Sequence, residues 1–207
     1  MQDLINKINE LKQNNIKNIV SERIQEFKNI DKESCTQLFE EMCFCILTAN
    51  YNAEKCIKIQ DEIGCNFSIL SKDKLTKKLT QLGHRYPNAR AGYIDESKKH
   101  KDLLKNVINS NNGIQRREWL VKNVKGLGYK ESSHFLRNIG FDDYAIIDFH
   151  IIDLLVRYKL IKKPKSLDKK AYLEIENVLR TLAKKTDLTL SELDLYLWYM
   201  ETGKILK

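Results

Sequence analysis

Apolar residues in this chain recur at helical rather than alternating spacing almost from end to end, and that excludes sheet-based folds before anything else is asked. Over 169–184, Tyr172, Leu173, Ile175, Val178, Leu179 and Leu182 form one stripe with lysines opposite. Similar stripes recur near 33–48, 52–63, 89–108 and 114–124, the i, i+3, i+4 signature of amphipathic helices. The pattern predicts an all-α protein of about ten to twelve helices. Boundary signals agree. Thr189 followed by Glu192 spells a capping box, and Pro87 after Tyr86 marks a break before a long amphipathic run through Ala91, Tyr93, Ile94 and Leu103. Lys162-Lys163-Pro164-Lys165-Ser166 reads as the clearest loop. With two prolines and eight glycines among 207 residues, 42% of them apolar, the chain is neither collagen-like nor disordered and can bury a core.

No run of about 18 apolar residues occurs, and the start, Met1-Gln2-Asp3-Leu4-Ile5-Asn6-Lys7, lacks a basic and then apolar leader. A soluble, cytoplasmic chain with no membrane partner is expected. Its formal charge is +8 and unevenly spread: residues 1–100 hold 16 basic against 14 acidic side chains, residues 101–207 hold 20 against 14. A basic half suits a polyanion, because neutralising phosphates releases condensed counterions, although a lysine-rich solubilising surface has the same composition. The five cysteines, at 35, 43, 45, 56 and 65, form no Cys-x-x-Cys pair, so a zinc site is not expected. Cys43 and Cys45 sit in an apolar stretch and read as buried, reduced thiols.

One segment departs from the helical pattern. Val124-Lys125-Gly126-Leu127-Gly128-Tyr129-Lys130 separates a helix ending near Asn123 from another running from Tyr129 to Asn138. Without Cβ atoms, Gly126 and Gly128 permit a tight turn whose amides approach an anion at the start of the next helix. A bare Gly-x-Gly is equally an ordinary glycine-capped helix–turn–helix. Downstream, Ile146-Ile147-Asp148-Phe149-His150 places a carboxylate at the entrance of an apolar helix, where it is set to cap.

This combination resembles the helix–hairpin–helix DNA glycosylase superfamily, whose signature is a Gly-hydrophobic-Gly hairpin, a catalytic lysine at the start of the following helix, and a downstream aspartate. Asp148-x-His150 matches the form found in the 8-oxoguanine branch. Leu47-Thr48-Ala49-Asn50-Tyr51-Asn52-Ala53 is similar to the family's helix–loop that enters the duplex at the lesion, and Arg85-Tyr86-Pro87-Asn88-Ala89-Arg90-Ala91-Gly92-Tyr93-Ile94 to its Arg-aromatic segment. No cysteine follows Cys65, so the four-cysteine iron–sulfur loop of the endonuclease III-like and adenine-glycosylase relatives is absent. The chain also has no room for the β-rich amino-terminal domain of the eukaryotic 8-oxoguanine enzymes. The remaining resemblance is to the compact 8-oxoguanine DNA glycosylase/AP lyases of archaea and some bacteria.

The resemblance implies a bifunctional enzyme acting on double-stranded DNA that contains oxidised guanine. Lys130 would attack C1′ as its amine and pass through a Schiff base to β-elimination of the strand; Asp148 would stabilise the positive sugar and help to activate Lys130. Gly126, Gly128 and His150 would hold backbone phosphates, His150 alternatively packing between helices. Asn50, with Arg85 in support, would fill the gap left by the flipped base or contact its orphaned partner. Asp194 and Trp198, four apart on one helix, would offer an acceptor and a stacking surface for a purine, though Trp198 on an apolar helix also reads as core. Lys207 at the end would help to read the base. The implied architecture has a helical subdomain over 32–142 carrying the hairpin at about 124–130, while 1–31 packs with 143–207 to carry Asp148 and the base pocket. Lys130 and Asp148 would then face each other across a DNA cleft. No organic cofactor or catalytic metal is implied, a monovalent cation on the hairpin carbonyls is allowed, and the protein is expected to act as a monomer near the nucleoid. Two other readings remain: a non-enzymatic helix–hairpin–helix module gripping duplex backbone, and a glycosylase for another damaged base.

Overall fold

A computed structural model of the chain describes residues 1–110 and 112–207, and among these every regular element is helical. In chain order the α-helices are α1 (Gln2–Lys12), α2 (Ile16–Lys28), α3 (Cys35–Thr48), α4 (Ala53–Ile63), α5 (Lys72–Gln81), α6 (Pro87–Ser97), α7 (Leu104–Ser110), α8 (Gly113–Asn123), α9 (Tyr129–Asn138), α10 (Phe149–Arg157), α11 (Lys169–Thr186) and α12 (Leu190–Thr202). Short 3₁₀ turns occupy Gly64–Ser68 and Lys98–Leu103.

The local signals act as chemistry requires. Thr189 accepts from the Glu192 amide while the Glu192 carboxylate takes the Thr189 N–H at 2.8 Å, and Pro87 opens α6 where its missing N–H costs nothing. The long run expected beyond Pro87 is instead divided. Ser97, buried, turns its hydroxyl back onto the Ile94 carbonyl at 2.7 Å, and Lys98 reaches the Leu70 carbonyl, so α6 stops and a 3₁₀ turn intervenes before α7. A back-bonded serine competes with the helix ladder in a way that apolar periodicity does not register.

Contacts divide the chain into two units, Ile30–Ile139 and Met1–Asn29 with Gly140–Lys207. In the first, α3 is buried on nearly all sides, with Leu38, Phe39, Met42, Cys43, Phe44, Cys45, Ile46 and Leu47 at the centre and α4, α6, α7 and α9 packed against it. A helix apolar on every face is stable only when enclosed this way. The second is built on α1, α2, α10, α11 and α12. Val20, Ile24 and Phe27 of α2 meet Leu195 and Tyr196 of α12 in one cluster, against which Ile205 also packs.

Candidate active site

In the Ile30–Ile139 unit, α8 ends at Val124, whose extended backbone leads into the turn, and the Leu127 amide closes that turn on the Val124 carbonyl at 3.1 Å. Gly126 has φ +93°, and a Cβ there would come within 2.7 Å of the Tyr93 ring. Backbone conformation and space both demand glycine. Leu127 between the two glycines is buried and anchors the turn. Gly128 is the N-cap of α9, and the Glu131 carboxylate accepts its N–H at 3.2 Å.

Lys130 therefore occupies the second position of α9, half-buried, with its Nζ 3.7 Å from Glu131 Oε1. The buried thiol of Cys56 feels both Lys130 and Arg90: burial pushes it up to about 12 and the two cations oppose the rise, so it remains a neutral thiol. The thiol therefore contributes apolar lining beside Lys130.

The same unit carries the turn that bears Asn50. Beyond α3 the chain turns through Ala49 and Asn50, the latter exposed at φ +57°. Asparagine tolerates this left-handed conformation better than most residues. Three bonds hold the turn from below: His84 Nε2 donates to the Leu47 carbonyl at 3.1 Å, Arg90 Nη2 donates to the Ala49 carbonyl, and the Tyr51 hydroxyl donates to the Gly83 carbonyl at 2.6 Å. His84 Nδ1 in turn accepts the Tyr86 amide at 3.0 Å, which fixes the tautomer with its proton on Nε2. Arg85 is exposed, its guanidinium 5.2 Å from the centre of the Tyr86 ring.

In the other unit, Asp148 is the N-cap of α10, where Oδ1 accepts the Ile151 amide at 3.0 Å. The preceding strap has no regular structure and is tied to α11 by side chains. The Tyr172 hydroxyl donates to the Ala145 carbonyl at 2.7 Å and receives the Ile147 amide, and Glu176 accepts the Ala145 amide at 3.2 Å. Arg180 closes the group, bonded to Asp143 and Glu176. These bonds deliver Asp148 to its cap position with a defined backbone.

His150 lies with its ring 4.0 Å from Phe149 and edge-on to Trp198 at 5.2 Å. Trp198 is half-buried, a position unlike that of the enclosed core residues Tyr172 and Tyr196. Asp194, one turn earlier on α12, lines an apolar recess with Ile146, Ile151 and Leu197, and Trp198 lies outside that recess. Gly203, at φ +70°, turns the chain off α12 toward the half-buried Lys207. Thus Asn50, Arg85, Gly126, Gly128 and Lys130 stand on one unit, and Asp148, His150, Asp194, Trp198 and Lys207 on the other. Of these, His150 and Trp198 are brought into direct contact. Apolar periodicity did not reveal His84, Arg90, Tyr172 and Glu176 as supports; the only sequence signal for the first two was their place in and beside the Arg-aromatic segment.

The profile of the family described as 8-oxoguanine DNA glycosylase, of helix–hairpin–helix type, matches residues 20–188, which takes in both the hairpin and the Asp148 strap. This chain belongs to that family. It is 51% identical over 205 residues to the 8-oxoguanine DNA glycosylase/AP lyase of Methanocaldococcus jannaschii, covering 99% of each chain. It is 48% identical to that of Korarchaeum cryptofilum over 100% of this chain and 99% of the relative. A solved structure of the Methanocaldococcus jannaschii 8-oxoguanine glycosylase/lyase, in complex with 15mer DNA containing 8-oxoguanine, superposes with a TM-score of 0.95 over 99% of both chains. The Thermotoga maritima 8-oxoguanine DNA glycosylase gives 0.94 at 42% identity, covering 100% of this chain and 99% of that one.

Proposed function

We propose that this member of the 8-oxoguanine DNA glycosylase family excises 8-oxoguanine from duplex DNA and then nicks the strand as an AP lyase. The observation that carries the reading is Lys130 at the second position of α9, directly behind the Gly126-Leu127-Gly128 turn, in a chain alike over its whole length to 8-oxoguanine DNA glycosylase/AP lyases. The neutral amine of Lys130 attacks C1′; the bond from C1′ to N9 breaks, and the base departs, taking up a proton. The resulting aminal opens to a Schiff base. Loss of a C2′ proton expels the 3′ phosphate, and water then releases the lysine. The carboxylate of Asp148 stabilises positive charge on the sugar as the base leaves.

The other residues divide by role. Amides of Gly126 and Gly128 and the ring of His150 take phosphates beside the everted nucleotide, so an approaching phosphate competes with the Glu131 carboxylate for the Gly128 N–H. Asn50 and Arg85 enter the opened stack, while Asp194, Trp198 and Lys207 receive the base. A monovalent cation on the carbonyls of the 124–127 turn would add charge for the phosphate. The chain's own contribution is the turn itself, closed by Leu127 on Val124. Among the described residues no helix is long and apolar enough to cross a membrane. A single copy working on nucleoid DNA in the cytoplasm fits this chemistry.

Borohydride trapping on a panel of duplexes, each with one lesion, tests the reading. A covalent adduct with the 8-oxoguanine duplex that disappears in Lys130→Gln supports it. Binding without an adduct leaves a DNA-gripping module instead, and an adduct only with another lesion changes the substrate.

A further inference from the structure

Arg90 is a buried cation that the apolar pattern of its helix does not announce. It rises from the first turn of α6 and is only 8% exposed. Its Nη2 donates to the Ala49 carbonyl, and its guanidinium carbon lies 5.6 Å from the ring centre of Tyr86 and 5.7 Å from that of Tyr93. Its Nε has no hydrogen-bond partner among the described residues. Burying a guanidinium without an anion is costly, and two aromatic faces and one carbonyl offset that cost only in part. For packing alone, an apolar side chain of similar volume would serve better.

What the charge obtains is a connection. On one side it grips the carbonyl immediately before Asn50, where the chain enters the left-handed conformation that a free loop would relax. On the other, the Tyr93 ring it rests against is the surface on which Gly126 of the hairpin sits. One guanidinium thus joins the turn bearing Asn50 to the turn preceding Lys130 through a single aromatic ring. It also lies against Tyr86, whose neighbour Arg85 completes the expected wedge.

We infer that Arg90 is the positioning residue for base eversion. It holds the Ala49–Asn50 turn in register with the hairpin, so that the wedge enters the stack at the nucleotide whose phosphate the hairpin amides hold. The inference rests on the glycosylase/lyase reading above. It separates two activities that share Lys130. Excision requires the damaged base to be unpaired and unstacked, whereas a preformed abasic site has no base to extract.

The test compares single-turnover excision from an 8-oxoguanine duplex with cleavage of the same duplex carrying a preformed abasic site, for the wild-type chain, Arg90→Gln and Arg90→Lys. Since a misplacement of about 1 Å can cost about 10²-fold, Arg90→Gln is expected to lower excision by about 30- to 100-fold and abasic cleavage by several-fold at most. Arg90→Lys, which keeps a charge and a donor for the Ala49 carbonyl, is expected to recover part of the excision rate. A 2-aminopurine placed opposite the lesion should brighten on binding less in Arg90→Gln than in wild type. Equal losses in both activities, or none in either, would overturn the inference. If Arg90→Gln does not fold, Arg90→Lys decides by the same ratio: a selective loss of excision supports the role, and parallel changes refute it. A wild-type chain that processes neither duplex instead refutes the functional reading, and this inference with it.

Discussion

At the residue scale, Asp148 has one task the structure shows and one proposed for it, and substitution can separate them. As an N-cap it satisfies the Ile151 amide, and as a carboxylate it would stabilise a cationic sugar. Asparagine caps a helix about as well as aspartate but has no charge. Asp148→Asn is therefore expected to leave the melting temperature nearly unaltered while lowering single-turnover excision by about 10²- to 10³-fold. Asp148→Ala should lose the rate and, in addition, about 1 kcal/mol of stability. Thermal melts beside rate measurements check both, and wild-type excision by the asparagine variant would remove Asp148 from the chemistry. Gly126 shows a different kind of residue-level constraint. A tight turn was expected there from the sequence, but its positive φ and its need to leave room for the Tyr93 ring are properties of the folded chain.

At the element scale, the end of α3 and the start of α6 are clipped together by one imidazole. His84 donates to Leu47 and accepts from Tyr86, an arrangement possible only when it is neutral. Burial lowers its pKa; the bond to the Leu47 carbonyl acts the other way, and the charge of Arg90 adds to the lowering. The folded value then lies below the unfolded one, so unfolding takes up a proton as the solution is acidified. This contribution to stability is fully present above an unfolded pKa of about 6.5 and is lost as the pH falls through the folded value. Between pH 7.5 and 5 the wild-type melting temperature should drop more steeply than that of His84→Gln, which cannot titrate. Parallel slopes would show that the clip carries no proton linkage. The strap before α10 is the counterpart in the other unit, held by Tyr172 and Glu176 rather than by its own backbone ladder.

At the scale of the whole molecule, the net charge of +8 sets the expected response to salt. If about four phosphates are neutralised on binding, duplex affinity should fall by about 10²-fold between 50 and 200 mM salt, linearly on logarithmic axes. Fluorescence anisotropy on undamaged duplex measures the slope, and a flat line would argue against a phosphate-gripping surface. The all-helical class, the capping box at Thr189, the glycine turn and the positions of Lys130 and Asp148 were all legible along the chain, because each depends on spacing within one or two helical turns. The division of the run after Pro87 was not, since it depends on where a buried serine and Lys98 find carbonyl partners. Nor were the roles of Arg90, His84, Tyr172 and Glu176, whose long-range bonds reach partners 25 to 41 residues away. Local sequence determined which elements form and which reactive groups they carry. Only tertiary packing decided which carbonyls, rings and amides hold those groups in place, because such partners become neighbours only once the chain has closed on itself.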